Sequence, residues 1–362
     1  MMRARTALPF HVWGALILGL FWAIQGLTGS MLALNRDIQA AAMSPVHPGP
    51  RLPLDTVIAR AASAVGSPIT RLETFGPDRD LLYAYYDSGQ GERVGVVDGR
   101  SGSLLERRDL EAALPRGGAS WAWLLRLHES LLGGDSGQIV VGTFGGLLLA
   151  TIGIGLWNAL PYRRWRDAWR MARMRADRPR LCGWHRLVGL ASFPALLVMV
   201  PCGIYLAFAP QARTWLAYHA GYQAPYKPAP QARRPAIHIP AERAYAIARE
   251  RFPGATLVRL VLPSAKTPVY LFRLLQPDDF RRWAGTSTIA IDPASGAVVE
   301  AFDSRRAPLA NRITDGIYSI HTGDVAGPLG RVLILLAGLS LPFFAVTGWI
   351  SWSRMRIGRR PA

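Results

Sequence analysis

Four histidines hold most of the chemistry that this sequence offers. Gly29 follows His11 after 18 residues, and Gly203 follows His185 after the same interval. Gly155 follows His128 after 27 residues, and Gly348 follows His321 after 27. The spacing thus repeats between the two halves of the chain. A neutral imidazole is a common iron ligand, and two imidazoles can occupy both axial positions of a haem. Repeated, paired histidines suggest a duplicated membrane protein carrying haem, with His11, His185, His128 and His321 as candidate ligands of the haem iron; interfacial histidines hydrogen-bonded to backbone are the other reading.

The elements that must position these side chains are apolar. Residues 12–35, 136–162, 187–212 and 332–353 contain no Lys, Arg, Asp or Glu. Each is long enough for about 20 apolar residues, the length of a membrane-spanning helix. The expected spans are residues 10–34, 136–160, 185–209 and 329–353. The first lacks a small-residue cleavage site and is read as a retained helix. Net charge is +18, and its placement is uneven. Arg3 and Arg5 precede the first span. Arg163, Arg164, Arg166, Arg170, Arg173, Arg175, Arg178 and Arg180 crowd the loop 161–184, and Arg354, Arg356, Arg359 and Arg360 follow the last span. The positive-inside rule makes 1–9, 161–184 and 354–362 cytoplasmic, with anionic lipid rather than nucleic acid as the partner of the basic loop. Residues 35–135 and 210–328 then lie on the other side.

This topology puts His11 and His185 near one membrane face and His128 and His321 near the other. Eighteen residues are five helical turns, so Gly29 is expected on the face of His11 and Gly203 on the face of His185, as small residues admitting a helix or macrocycle. Twenty-seven residues are seven and a half turns, which puts histidine and glycine on opposite faces of one unbroken helix. LLGGDSG (131–137) and TGDVAGPLG (322–330) are expected to break it. Pro194 and Pro201 are expected to interrupt the third helix.

Each segment outside the spans shows one helix followed by strands: LDTVIARAASAV before ITRLETF, LLYAYYD and ERVGVVD, and PAERAYAIARER before TLVRLVL, VYLFRLL and STIAIDP. The turns VDGRSGSLLE (97–106) and IDPASGAVVE (291–300) both place Asp first and Ser-Gly three and four residues later, the chemistry of a hairpin. The fold expected is a membrane α-helical protein of four spans with two α+β domains and a parallel internal repeat.

AERAYAIARERFPGATLVRLVLP resembles a PepSY domain. HVWGALILGLFWAIQGLTGSMLAL, GGLLLATIGIGLW, GIYLAF and LAGLSLPFFAVTGWISW resemble the PepSY-associated transmembrane family over nearly the whole chain. The resemblance implies an iron-regulated inner-membrane protein of Gram-negative bacteria with periplasmic PepSY-like domains. Members similar to ferrioxamine reductases are haem-containing ferric-siderophore reductases. The resemblance thus implies an oxidoreductase that passes electrons to a periplasmic ferric siderophore for iron uptake, with quinol or a cytoplasmic reductase as donor. Two other readings stay open: a non-catalytic PepSY protein that binds peptides or a partner, and an iron-chelate transporter.

The remaining signals are weaker. His219 in WLAYHAGY is a candidate to replace or supplement an outer ligand, while His47 and His238 are expected to face solvent. Trp121, Trp123, Trp349 and Trp352 read as interfacial aromatics, and Gly142, Gly145 and Gly146 as helix packing. Arg281, Arg282 and Trp283 could meet an anionic or hydroxamate ligand but read first as a solvated loop. Cys182 and Cys202 form no CxxC motif, and no disulfide framework exists in the exported segments. No nucleotide fingerprint and no serine or cysteine nucleophile constellation is present, so no catalytic group is expected beyond the haem ligands.

Overall fold

The computed structural model describes residues 4–42, 49–74, 80–89, 91–110, 119–159, 165–175, 177–233, 235–277, 279, 281 and 284–357. In chain order the first half gives α1 (Ala4–Ala33), α2 (Asn35–Ala42), α3 (Leu54–Val65), β1 (Ile69–Thr74), β2 (Leu81–Asp87), β3 (Glu92–Asp98), β4 (Leu104–Asp109), α4 (Ala119–Ser130), α5 (Gly134–Ala159) and α6 (Trp165–Ala172). The second gives α7 (Asp177–Ala207), α8 (Ala209–Ala220), α9 (Ala241–Arg251), β5 (Thr256–Val261), β6 (Tyr270–Leu275), β7 (Ser287–Ile291), β8 (Val298–Phe302), α10 (Leu309–His321) and α11 (Gly327–Ile357). These elements form a helical unit (Met1–Leu34, Leu124–Ala212, Ile320–Ala362) and a sheet unit (Asn35–Trp123, Arg213–Ser319).

In the helical unit, His11–Ala33, Gly134–Trp157, Pro179–Ala207 and Asp324–Ser353 are long and apolar enough to cross a membrane. Their outward residues are apolar: Ile17 is 72% and Leu20 73% exposed. Such a surface requires a lipid solvent. The bundle centre holds Trp22, Leu148, Leu196, Val200, Ala337 and Leu341. Small residues set the helix approaches. A Cβ on Gly26 of α1 would run into the Gly338 carbonyl of α11, and one on Gly338 would meet the Ser30 hydroxyl. Ser30 donates a hydrogen bond to the Leu335 carbonyl at 3.0 Å. Gly142 and Gly145 of α5 lie against Phe208 and Ile204, whereas Gly146 has open space.

The third helix differs from its expected form. It starts at Asp177, eight residues before the expected 185, and runs unbroken through Pro194 and Pro201. A proline removes one backbone donor, and neighbouring helices can hold such a helix together in a bundle. The basic loop is also partly ordered. Helix α6 buries Ala168 and Ala172 against Leu187 of α7 and leaves Arg166, Arg170 and Arg173 exposed. The two glycine-rich stretches do interrupt the helices. Leu131 and Leu132 take positive φ between α4 and α5, and a short 3-10 turn at Asp324–Ala326 separates α10 from α11.

In the sheet unit, the two segments expected as separate domains share one eight-stranded sheet, ordered β4-β3-β2-β1-β5-β6-β7-β8. The join is the antiparallel β1–β5 pair, with Leu72 opposite Leu260 and Glu73 opposite Arg259. A four-stranded sheet with one helix leaves edges open, and pairing the two inner edges closes one edge of each. Helices α3 and α9 cover one face, where Val57, Ala61, Ala244 and Ala248 pack on Leu72, Leu260 and Phe272. The matched turns close β3–β4 and β7–β8. Gly102 and Gly296 take φ of 70° and 78°, and their amides donate to the Asp98 and Asp292 carbonyls at 2.7 and 2.9 Å.

The two covering helices also cap each other. Asp55 of α3 accepts from the Ala241 and Glu242 amides of α9 at 2.8 and 3.0 Å, and Glu242 accepts from the Leu54 amide at 2.8 Å. Prolines 53 and 240 at the N-cap positions offer no side-chain cap, so each first turn takes its acceptor from the other helix. Asp55→Ala and Glu242→Ala are each expected to destabilise the sheet unit by about 1–2 kcal/mol. The readout is thermal unfolding of the full chain in detergent, and unchanged melting in both variants would remove this role.

Candidate functional site

The four histidines stand as two pairs in the helical unit. The ring centres of His11 and His185 are 6.4 Å apart, with planes at 88°. Those of His128 and His321 are also 6.4 Å apart, with planes at 42°. His11 is on α1, His185 on α7, His128 near the end of α4 and His321 at the end of α10. His185 lies inside its helix rather than at its opening, because α7 begins earlier.

The second nitrogen of each ring is fixed by the neighbouring helix. His11 Nδ1 lies 3.2 Å from the Thr151 carbonyl, and His321 Nδ1 lies 3.1 Å from the Met199 carbonyl. A carbonyl only accepts, so both Nδ1 atoms carry the proton. His128 Nδ1 lies 2.9 Å from the Thr28 hydroxyl, and His185 Nδ1 lies 2.9 Å from the Thr347 hydroxyl. Those hydroxyls give their own protons to the Ile24 and Phe343 carbonyls, both at 2.8 Å. Their lone pairs are then what the histidines meet, and these Nδ1 atoms also donate. All four imidazoles thus donate through Nδ1–H, which leaves Nε2 of the neutral ring as the nitrogen that can ligate a metal.

Glycines make room for the rings, but each faces a histidine from another helix. A Cβ on Gly29 would lie 2.9 Å from His128 Cε1, and one on Gly203 would lie 3.0 Å from His321 Cε1. Gly155 stands in the same relation to His11, at 3.0 Å. The assignment of Gly29 to His11 and of Gly203 to His185 is therefore corrected. Five turns of helix rise about 27 Å, so a residue on the same face is at the other end of the helix. Each 18-residue interval links one pair to the other. Gly348 has no atom within 4 Å of its Cβ position, yet it lines the His11–His185 cavity beside Thr347.

That cavity has a volume of about 380 Å³ and is walled largely by apolar side chains, among them Trp22, Leu196 and Phe344. Phe344 packs on His185 with ring centres 4.9 Å apart. Trp349 and Trp352, expected only as interfacial aromatics, also line it. Thr28 and Thr347 escaped the sequence reading. Their signal was present as a Thr-Gly pair at 28–29 and again at 347–348.

The other candidates fall elsewhere. His219 is exposed on α8, its ring centre 4.8 Å from that of Trp215. His238 is exposed, as expected, and His47, Arg282 and Trp283 lie outside the described residues. Arg281 is not a solvated side chain: its guanidinium lies 4.6 Å over the Tyr318 ring. Cys182 and Cys202 are free thiols.

The PepSY-associated TM region is a family whose model matches residues 8–354. The chain belongs to this family. The match takes in both histidine pairs, all four spans and the whole sheet unit, so the two units are parts of one family architecture. A search of the curated proteins finds no match.

The residues present fit haem as the group between each pair. Two metal–imidazole bonds of about 2.0 Å, with about 1.1 Å from each nitrogen to its ring centre, separate two ring centres by roughly 6.2 Å. Both observed separations are 6.4 Å. The apolar walls of the first cavity would suit a macrocycle, and imidazoles held through Nδ1 would leave Nε2 to bind its iron.

Proposed function

We propose that this protein is a haem-dependent ferric-siderophore reductase of the bacterial inner membrane. His11 and His185 would hold one haem b, and His128 and His321 a second. Haem in such sites supplies reversible one-electron transfer. The chain's own part is to ligate, orient and keep dry. Thr151, Thr347, Thr28 and Met199 hold the imidazoles in the ligating tautomer, and Trp22, Leu196 and Phe344 exclude water. Helix α1 carries His11 near one end and Thr28 and Gly29 near the other, so one rigid element sets the positions of both sites.

By the positive-inside rule the His11–His185 pair lies near the cytoplasmic face and the other pair near the periplasm, where the sheet unit would also lie. Quinol or a cytoplasmic reductase would donate the electrons. The ferric siderophore is the substrate, and its reduction loosens the metal, since Fe(II) binds hard oxygen ligands less tightly than Fe(III).

The observation that carries this reading is the equal 6.4 Å separation in both pairs. Purified protein is expected to contain two haem groups per chain, to show b-type bands when reduced with dithionite, and to release Fe(II) from a ferric hydroxamate to a chromogenic trap. Protein free of haem, with no reduced b-type bands, would sink the proposal.

A further inference from the structure

The sheet face away from α3 and α9 concentrates positive charge. One rung crosses the sheet through Tyr83, Glu73, Arg259, Arg273 and Thr288. Arg259 and Arg273 are thus direct cross-strand neighbours, a placement in which like charges oppose folding. The carboxylate on the rung, Glu73, is shared: its Oε1 lies 2.7 Å from Arg259 Nε and 3.0 Å from Arg71 Nε. Arg213 and Arg281 add further charge beside Arg273, and Asp315 of α10 is the carboxylate facing all three.

Arginines 213, 259, 273 and 281 therefore outnumber Glu73 and Asp315 two to one. Among the described residues none hydrogen-bonds or ion-pairs with Arg273. Burial, then Arg259 and Arg281, lowers its pKa to about 10. The Nε atoms of Arg213 and Arg281 are buried without a hydrogen-bond partner. Half-buried like charges held this close, with two Nε atoms out of reach of water, are costly, and this arrangement costs stability unless an anion joins it.

We propose that this cluster is a binding site for a small anion bearing two or more carboxylate groups. The planar forks of Arg273 and Arg281 match carboxylate oxygens in pairs, and the neighbouring arginines supply more donors than one carboxylate can use. That the anion is an iron chelate rests on the reductase reading above; that it binds does not.

The test is calorimetric titration of the full-length protein, in neutral detergent, with citrate. One saturable site is expected. Arg273→Gln and Arg281→Gln should each weaken it at least about tenfold. Arg243→Gln, on α9 against the opposite face, should not change it. Arg273→Gln should also raise the melting temperature without citrate, because it relieves the Arg259 repulsion, and citrate should raise that of the wild type alone. A purely structural Arg273 predicts the reverse shift. Absence of saturable citrate binding, inorganic phosphate binding as tightly, an equal loss in Arg243→Gln, or a lower melting temperature for Arg273→Gln would each overturn the proposal. Citrate binding by protein that contains no haem would support the anion site while removing the reductase reading, and haem without citrate binding would do the opposite.

Discussion

Replacing His185 with alanine is expected to halve the haem content, from two groups per chain to one, and leave the spectrum of the other intact. The reason is geometric. His11 has a single imidazole partner at 6.4 Å, and the second pair uses different helix ends. His11→Ala should lose the same group, whereas His128→Ala and His321→Ala should each lose the other. Thr347→Val separates ligation from orientation. It removes the acceptor that fixes the His185 tautomer but keeps the imidazole, and the cost in affinity for the group is about 10–100-fold. Pyridine haemochrome quantitation and reduced spectra of the purified variants give the answer. Should His185→Ala and His128→Ala deplete the same spectral component, or neither deplete any, the pairing is wrong.

Gly26→Val and Gly338→Val are expected to be the most damaging changes outside the four histidines. Each glycine faces the backbone or a buried hydroxyl of the other helix, and backbone cannot move aside as a side-chain tip can. Overpacking of this kind costs about 1–3 kcal/mol per site, and more where no rotamer relieves it. The damage should reach both sites, because α1 carries both His11, a ligand in the proposed function, and Thr28, the acceptor for His128. The prediction is a lower melting temperature in detergent together with loss of both haem groups. Gly146→Val is the control, since its Cβ position meets nothing within 4 Å. Equal behaviour of Gly26→Val and Gly146→Val would show that the α1–α11 approach is not decisive.

Much of the local structure was legible because it depends on short-range rules. The charge-free runs marked four helices, and LLGGDSG and TGDVAGPLG marked the breaks before two of them. The Asp-x-x-Ser-Gly turns closed the expected hairpins, since an aspartate carboxylate and a left-handed glycine satisfy that turn from within. The third helix was misread at its start because Asp177–Trp184 is polar; packing of α6 against α7 makes it helical regardless. The glycines were misassigned because spacing along one helix cannot say which neighbouring helix delivers an imidazole.

The sequence by itself determined that the chain has four apolar spans and which turns close its strands. These follow from hydropathy and backbone preference, which act within a few residues. Only the tertiary structure decided that Gly29 shelters His128, that Thr347 orients His185, and that Arg273 faces Arg259 across a sheet built from both halves. The first two of those contacts join residues 99 and 162 positions apart, and the last depends on strand register. Packing and register choose them, because each requires two elements to be held at one distance at the same time.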